Sequence, residues 1–376
     1  MKKLISLALC MIMALSCFAG CQGGSGNEFI LGAIGPLTGT ASTYGQSVRN
    51  GMQIAVDEIN AAGGINGVQV KMLFEDDEAD GAKAKSAYEK LMDDGMNILI
   101  GAVTSGASVA LNDLTAKDGI LQITPSASQI EAAQNPNSFR LCFTDPLQGV
   151  TMADYTYSTL GYKSVAIIFN QDDSYSTGMK DAFKARWTEL GGTIAEEVSF
   201  AKDATDFNAQ MTKIAAADAD FLYMPIYAEK AAQIIITANE KGVNLPFIGG
   251  DGMDGILNYL EGDNAKLAEG LLYLTPFVAT DPDEKVAAFV AEYEKRFGST
   301  PDQFAADGYD AVYVAKLAIE KAGITSPAAI DNAALIAAMT QIQLDGLTGS
   351  LSFTAEGEPN KGAKFAKIID GQYVAQ

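Results

Sequence analysis

Three stretches of small hydroxyl residues carry the donors of a binding site: Gly35-Pro36-Leu37-Thr38-Gly39-Thr40-Ala41-Ser42-Thr43-Tyr44-Gly45, Ala102-Val103-Thr104-Ser105-Gly106-Ala107-Ser108 and Pro125-Ser126-Ala127-Ser128. Hydroxyls beside the free N–H groups that open a helix suit a single anionic group. No Walker lysine and no complete Gly-x-Gly-x-x-Gly accompany them, which favours a carboxylate over a phosphate. Taken alone, the same Ser/Thr turns also fit simple helix caps. Three further loops add tyrosines and an acid: Gln171–Gly178 with Tyr175, Ile226-Tyr227, and Gly249-Gly250-Asp251-Gly252. Asp251, between glycines that admit close approach, can pair with an ammonium or cap a helix.

Other chemistries find little support. The chain has no histidine, which excludes histidine-based triads and histidine metal sites. There is no Gly-x-Ser-x-Gly elbow for a secreted hydrolase. The acidic run Glu75-Asp76-Asp77-Glu78 lacks the spacing and turn glycine of a calcium loop and reads as a solvated strand end. Nothing in the sequence pairs two carboxylates as acid and base. No enzyme activity, cofactor or metal is expected.

The elements that must hold these loops alternate between short apolar runs and amphipathic helices. Glu28–Gly32, Val68–Phe74, Asn97–Gly101 and Leu121–Thr124 read as strands, with helices at Ser47–Ala62, Ala82–Asp93 and Ser108–Lys117. A second series follows: strands Val165–Phe169, Thr193–Phe200, Phe221–Met224 and Phe247–Gly249, with helices Gly178–Leu190, Phe207–Ala216 and Ala228–Lys241. Helices Asp283–Phe297 and Asp302–Ala322 precede a hairpin-like tail, Gly349–Phe353 with Ala363–Ile369. Alternation of this kind predicts βαβ units and parallel sheets, so the fold class is α/β with two doubly wound lobes. In such sheets ligands sit beyond the carboxyl ends of the strands, where every loop named above falls.

The N-terminus predicts the compartment. Met1-Lys2-Lys3 and the apolar run Leu4–Ala19 describe a secretory signal. Phe18-Ala19-Gly20-Cys21 resembles a bacterial lipobox, with Cys21 as the lipidated residue; Cys17 is a weaker alternative. On this reading 1–20 is the signal peptide and 21–27 the lipidated cysteine with its linker. About 350 residues then remain, enough for two lobes. Cys142 is left alone in the apolar run Phe139–Phe143, which predicts a core residue and no internal disulfide. A formal net charge of −21 gives nucleic-acid phosphates no basic stripe to meet.

Gly32-Ala33-Ile34-Gly35-Pro36-Leu37-Thr38-Gly39 with Tyr44-Gly45, then Ala55-Val56-Asp57-Glu58-Ile59-Asn60-Ala61-Ala62-Gly63-Gly64-Ile65-Asn66-Gly67, resembles the branched-chain amino acid-binding proteins of ABC importers. Asp76-Asp77, Ile100-Gly101, Ile123-Thr124-Pro125 and Tyr175-Ser176-Thr177-Gly178 continue the match over about residues 28–375. The resemblance implies two Rossmann-like lobes of the type I, Venus-flytrap kind joined by three crossovers. Residues 28–146 with 277–347 would form one lobe, and 147–276 with 348–376 the other. It implies that Ser105 and the Ser128 N–H hold an α-carboxylate. The Ser126 carbonyl, the Ser128 hydroxyl and Asp251 would hold an α-ammonium, with Ala127 between the two serines. Tyr44, Tyr175 and Tyr227 would close the pocket. Leucine-type members often carry Glu at Asp251 and Thr at Ser128, and the cysteines of some members are Glu78 and Thr104 here; side-chain preference stays open. The function this implies is an extracytoplasmic, membrane-tethered, monomeric binding protein that delivers an amino acid, branched-chain or otherwise aliphatic, to an ABC permease. An amide, urea, short peptide or aromatic acid, or a sensing role, is the alternative.

Overall fold

The computed structural model describes residues 28–376; the signal segment and Cys21 lie outside the described residues. Two sheets form its frame. The first is built from β1 (Glu28–Gly35), β2 (Gln69–Asp76), β3 (Ile98–Gly101), β4 (Gln122–Thr124) and β5 (Ser138–Arg140) in the order β2-β1-β3-β4-β5, with parallel pairing throughout. The second contains β6 (Ser164–Asn170), β7 (Thr193–Phe200), β8 (Phe221–Met224), β9 (Phe247–Gly249), β10 (Leu272–Thr275), β13 (Lys364–Ile369) and β14 (Gln372–Ala375), in the order β14-β13-β10-β9-β8-β6-β7.

Strand periodicity decides which helix covers which face. In β1, Phe29, Leu31 and Ala33 point into one cluster with α1 (Ser42–Ala61) and α9 (Gln303–Lys321). Ile34 points the other way, among Tyr88 and Leu91 of α2 (Gly81–Asp93) and Leu111 of α3 (Ser105–Asp118). The second sheet repeats the device. Val165 and Ile167 of β6 pack with Met152 of α4 (Asp145–Asp154) and with Phe183 and Trp187 of α5 (Ser174–Glu189). Ala166 and Ile168 face Ile214 of α6 (Asn208–Ala215) and Ile235 of α7 (Ala228–Glu240).

The predicted strands are all present, with ends shifted by a few residues. Two shifts matter. The third helix begins at Ser105 rather than Ser108, and the fifth at Ser174 rather than Gly178, so Ser105 and Tyr175 sit inside first helical turns. Gly63 and Gly64, both at positive φ, end α1. Gly64 N–H donates to the Ile59 carbonyl at 2.8 Å and Gly63 N–H to Asn60 at 3.1 Å, the paired bonds of a Schellman cap. The expected tail hairpin is not formed. β12 (Gly349–Leu351) pairs with β11 (Leu344–Gly346), while β13 pairs antiparallel with β10 and β14. Leu347-Thr348 supplies a tight turn between β11 and β12, whereas the long stretch after Leu351 carries the chain to the other sheet.

The chain passes between the sheets three times: after β5, between β10 and α8 (Glu284–Phe297), and between β12 and β13. Buried Lys361, on the third passage, ties it to the first passage and to α9, its ammonium donating to the Leu141 carbonyl at 2.9 Å, the Thr348 hydroxyl at 2.7 Å and Asp307 Oδ1 at 3.3 Å. Helices α1 and α9 approach so closely that a Cβ on Gly51 would lie 1.8 Å from the Ala305 carbonyl oxygen. Short α10 (Asn332–Met339), unanticipated in the sequence, buries Leu335 and Met339 in the same layer. No helix among the described residues is long and apolar enough to cross a membrane.

Candidate functional site

The carboxyl ends of both sheets face one another, and the loops there line a small cavity. The first sheet and its helices contribute Tyr44, Val103, Thr104, Ser126 and Phe304; the second contributes Tyr175, Tyr227, Asp251 and Gly252. Five residues expected at the site from sequence therefore line one cavity: Tyr44, Ser126, Tyr175, Tyr227 and Asp251.

Asp251 follows β9 and is buried. The Tyr175 hydroxyl donates to its Oδ1 at 2.8 Å and accepts from the Gly252 N–H at 2.9 Å. The Asp251 N–H donates to Gln148 Oε1 at 2.9 Å. Glycine is needed beside it, since a Cβ on Gly252 would fall 2.7 Å from the Tyr175 hydroxyl. Burial pushes the Asp251 carboxyl up to about 6, opposed by the hydrogen bonds from Tyr175 and Gln148. A buried carboxylate held up in this way gains most when a cation arrives beside it.

The aromatic wall is continuous. Tyr175 and Tyr227 stack at 4.7 Å between ring centroids, Tyr44 lies 5.3 Å from Tyr227, and Tyr44 meets Phe304 edge-on at 4.5 Å. Burial raises the Tyr44, Tyr175 and Tyr227 hydroxyls well above the ordinary phenol range, so they act as neutral hydrogen-bonding groups.

Ser105, Ala127 and Ser128 are buried beside this cavity rather than among the residues that line it. Ser105 Oγ accepts from the Gln129 N–H at 3.3 Å, which joins the loop after β3 to the loop after β4. The Ser126 hydroxyl donates to the Val103 carbonyl at 2.8 Å. Arg140, fully buried, holds the underside of the second loop, donating to the Ala127 carbonyl at 3.0 Å and the Gln129 carbonyl at 2.6 Å. The Ser128 hydroxyl has no hydrogen-bond partner among the described residues, and the Ser128 carbonyl accepts from the Asp145 N–H at 2.9 Å.

Sequence reasoning did not single out Val103, Thr104, Phe304 or Asp145. Val103 lay unremarked within a quoted loop, and Thr104 entered only as the residue standing where some members of the family carry a cysteine. Phe304 enters from α9, whose distance along the chain hid it. Asp145 is buried with neither carboxylate oxygen hydrogen-bonded, and burial with the nearby Asp251 charge holds its carboxyl well above the usual range. No group of histidine, cysteine and acidic side chains among the described residues is placed to hold a metal ion.

Two parallel-sheet lobes that trap a cavity between their carboxyl edges define a clamshell ligand-binding protein. The comparisons agree. The periplasmic binding protein family model matches residues 29–372, and the chain belongs to that family. It is 30% identical over 358 residues to the "Leu/Ile/Val-binding protein homolog 3" of Brucella melitensis, covering 94% of this chain and 95% of that one. The "Leu/Ile/Val-binding protein BraC3" of Rhizobium johnstonii is 33% identical over 299 residues, covering 79% and 80%. Among solved structures, the branched-chain amino acid transporter substrate-binding protein LivJ of Streptococcus pneumoniae, in complex with isoleucine, superposes with a TM-score of 0.84. It shares 28% identity, with 93% of this chain and 100% of that chain covered.

Proposed function

We propose that this protein captures an amino acid, branched-chain or otherwise aliphatic, outside the cytoplasm and delivers it to an ABC permease. The observation that carries this reading is Asp251, paired with the Tyr175 hydroxyl on one lobe and facing the Ser126 loop of the other across an aromatic cavity. Asp251 with the Ser126 carbonyl supplies what an ammonium requires. Ser105 and the Ser128 N–H offer donors for a carboxylate, while Tyr44, Tyr227 and Phe304 give an aliphatic side chain apolar surface. One of the named relatives is a Leu/Ile/Val-binding protein and the other is named as a homolog of such proteins, and this supports the ligand class.

Hinge closure is the proposed mechanism. Each lobe brings part of the site, so a ligand that touches both stabilises the closed arrangement by the contacts it makes only there. The protein acts as a monomer, needs no cofactor and performs no chemical transformation. Lipid on Cys21 tethers it to the outer face of the membrane. Calorimetric titration of ligand-stripped protein with each common amino acid tests the reading; saturable binding of an aliphatic amino acid is expected, and no binding at millimolar ligand overturns it.

A further inference from the structure

The loop that follows β9 is held by the first lobe through the start of α9. Gln303, the first residue of that helix, donates its backbone N–H to Asp254 Oδ2 at 2.8 Å and its side-chain amide to the Asp251 carbonyl at 3.3 Å. Asp254 belongs to the second lobe, where its Oδ1 accepts from the Tyr273 hydroxyl of β10 and from the Gly255 N–H, both at 3.0 Å. Asp302 belongs to the first lobe and caps α9. Its Oδ1 accepts from the Ala305 N–H at 3.0 Å, and its Oδ2 from the Ser47 hydroxyl of α1 at 2.7 Å. Gly255 passes so near that a Cβ there would lie 3.4 Å from Asp302 Oδ2. Two carboxylates from opposite lobes thus meet at one helix N-terminus, and the residues are only 3% and 8% exposed.

Their surroundings offer no countercharge. β10, β14, the segment after β9, α1 and α8 present phenols: Tyr273, Tyr373, Tyr259, Tyr44 and Tyr293. Glu294 of α8, in the surface pocket beside Asp302, and Glu229 of α7, near Tyr259, add acids rather than bases. Arg49 acts on Tyr293, and no lysine or arginine pairs with either carboxylate among the described residues. The partial positive charge at the start of α9 therefore serves two acids. Burial, and then the charge of Asp302, hold the Asp254 carboxyl well above its ordinary range; burial, opposed by the bonds from Ser47 and Ala305, raises Asp302. Every other hydrogen bond to the pair is made within one lobe, so closure adds only the Gln303 bond and the second acid.

We infer that closure of the lobes takes up a proton at the Asp254–Asp302 pair, which makes the pair a pH-sensitive latch on the closed state. The inference rests on the hinge closure proposed above. With the lobes apart the acids are separated and hydrated, so both ionise; buried together, two like charges are strongly unfavourable and one accepts a proton. Groups that bind protons more tightly in the closed state favour it at the acid end and lose that contribution as pH rises. Asp251 works in the opposite sense lower down: it is lifted only to about 6 and is ionised near pH 8.

Calorimetric titration near pH 8 with leucine, or with the tightest-binding common amino acid if leucine is not bound, counts the protons when repeated in buffers of different ionisation enthalpy. The unaltered protein is expected to take up about half a proton or more per ligand, and its affinity to fall about threefold or more between about pH 8 and pH 9. Asp254→Asn and Asp302→Asn keep an acceptor oxygen and remove one charge, and asparagine caps a helix about as well as aspartate. Each is expected to lose most of the uptake and to bind more tightly than the unaltered protein at about pH 9, a gain that structural damage does not give. The ligand's own ammonium contributes equally to all three proteins. Binding without proton uptake in the unaltered protein, or uptake that a folded variant retains in full, overturns the inference while the amino-acid reading stands. Absence of any amino-acid binding overturns both.

Discussion

The Tyr44 hydroxyl donates to the Gly252 carbonyl at 2.8 Å, joining the first turn of α1 to the loop after β9 on the opposite sheet. The same oxygen accepts from the Ala228 N–H at 2.7 Å, at the start of α7. One phenol of the first lobe thus satisfies two backbone groups of the second, and separation of the lobes breaks both bonds together. Tyr44→Phe keeps the ring contacts with Tyr227 and Phe304 but leaves a buried N–H and a buried carbonyl unpaired. Ligand affinity should fall by roughly 1–3 kcal/mol, measured by calorimetry, and small-angle scattering should show a larger fraction of open molecules at subsaturating ligand. Unchanged affinity would remove Tyr44 from the closing mechanism.

Asp251 meets the ammonium in the proposed complex. Asp251→Ala should weaken amino-acid binding by roughly 2–4 kcal/mol, because a buried cation would lose its counter-charge. Tyr175→Phe should cost less, since it removes only the hydroxyl that orients the carboxylate. If Tyr175→Phe proves the more damaging substitution, the assignment of roles is reversed.

Acidity should act in opposite directions on stability and on binding. Burial lifts Asp251 and Asp173 to about 6 and Asp307 to about 7, above the value near 4 that a carboxyl has in an unfolded chain. The folded protein therefore binds more protons than the unfolded one between about pH 4 and pH 7. Stability from this source is present at the acid end and declines as pH rises through that window. Below it, carboxyls lowered by hydrogen bonds, such as Asp76 and Asp281, lose theirs. Thermal melts of ligand-free protein should peak near pH 5 and fall toward pH 8. Ligand affinity should rise over the same range as Asp251 ionises. A ligand-free melting temperature that climbs steadily from pH 5 to pH 8 would contradict the burial of these groups.

Gly51 is the point of closest approach between α1 and α9. Gly51→Ala places a methyl against the Ala305 carbonyl and must push the helices apart. A loss of about 1–3 kcal/mol in unfolding free energy is expected from overpacking, read by denaturant titration, although alanine is otherwise the better helix former. A neutral or stabilising result would show that the helices can separate freely.

Cys21 lies outside the described residues, and its lipidation is tested directly. Radiolabelled fatty acid should attach to the unaltered protein, and Cys21→Ser should release it from membranes. A Cys21→Ser protein that stays anchored sinks the tether while leaving the binding site untouched.

Much of the frame could be read from residue order because parallel strands and their helices are local patterns. Leu31 and Ile98 sit in apolar runs bounded by glycines, and they pair in register in the structure. The loops of the site follow from the same alternation, which sets Tyr175, Tyr227 and Asp251 beside one cleft. What escaped depends on long-range contact. Phe304 reaches the cavity only because α9 returns to α1, and no local signal near residue 304 announces that return. The tail was misread because Gly349–Phe353 and Ala363–Ile369 each alternate well as strands, while the choice of partner belongs to sheets laid down elsewhere.

The pairing of α1 with α9 also sets a timetable for the growing chain. The strands of the first sheet are complete by Arg140, yet the helix that covers Phe29, Leu31 and Val48 begins only at Gln303. A nascent chain that has emerged only as far as β10 holds a half-covered sheet with an exposed apolar face, and it cannot close that lobe before the ribosome has passed Lys321.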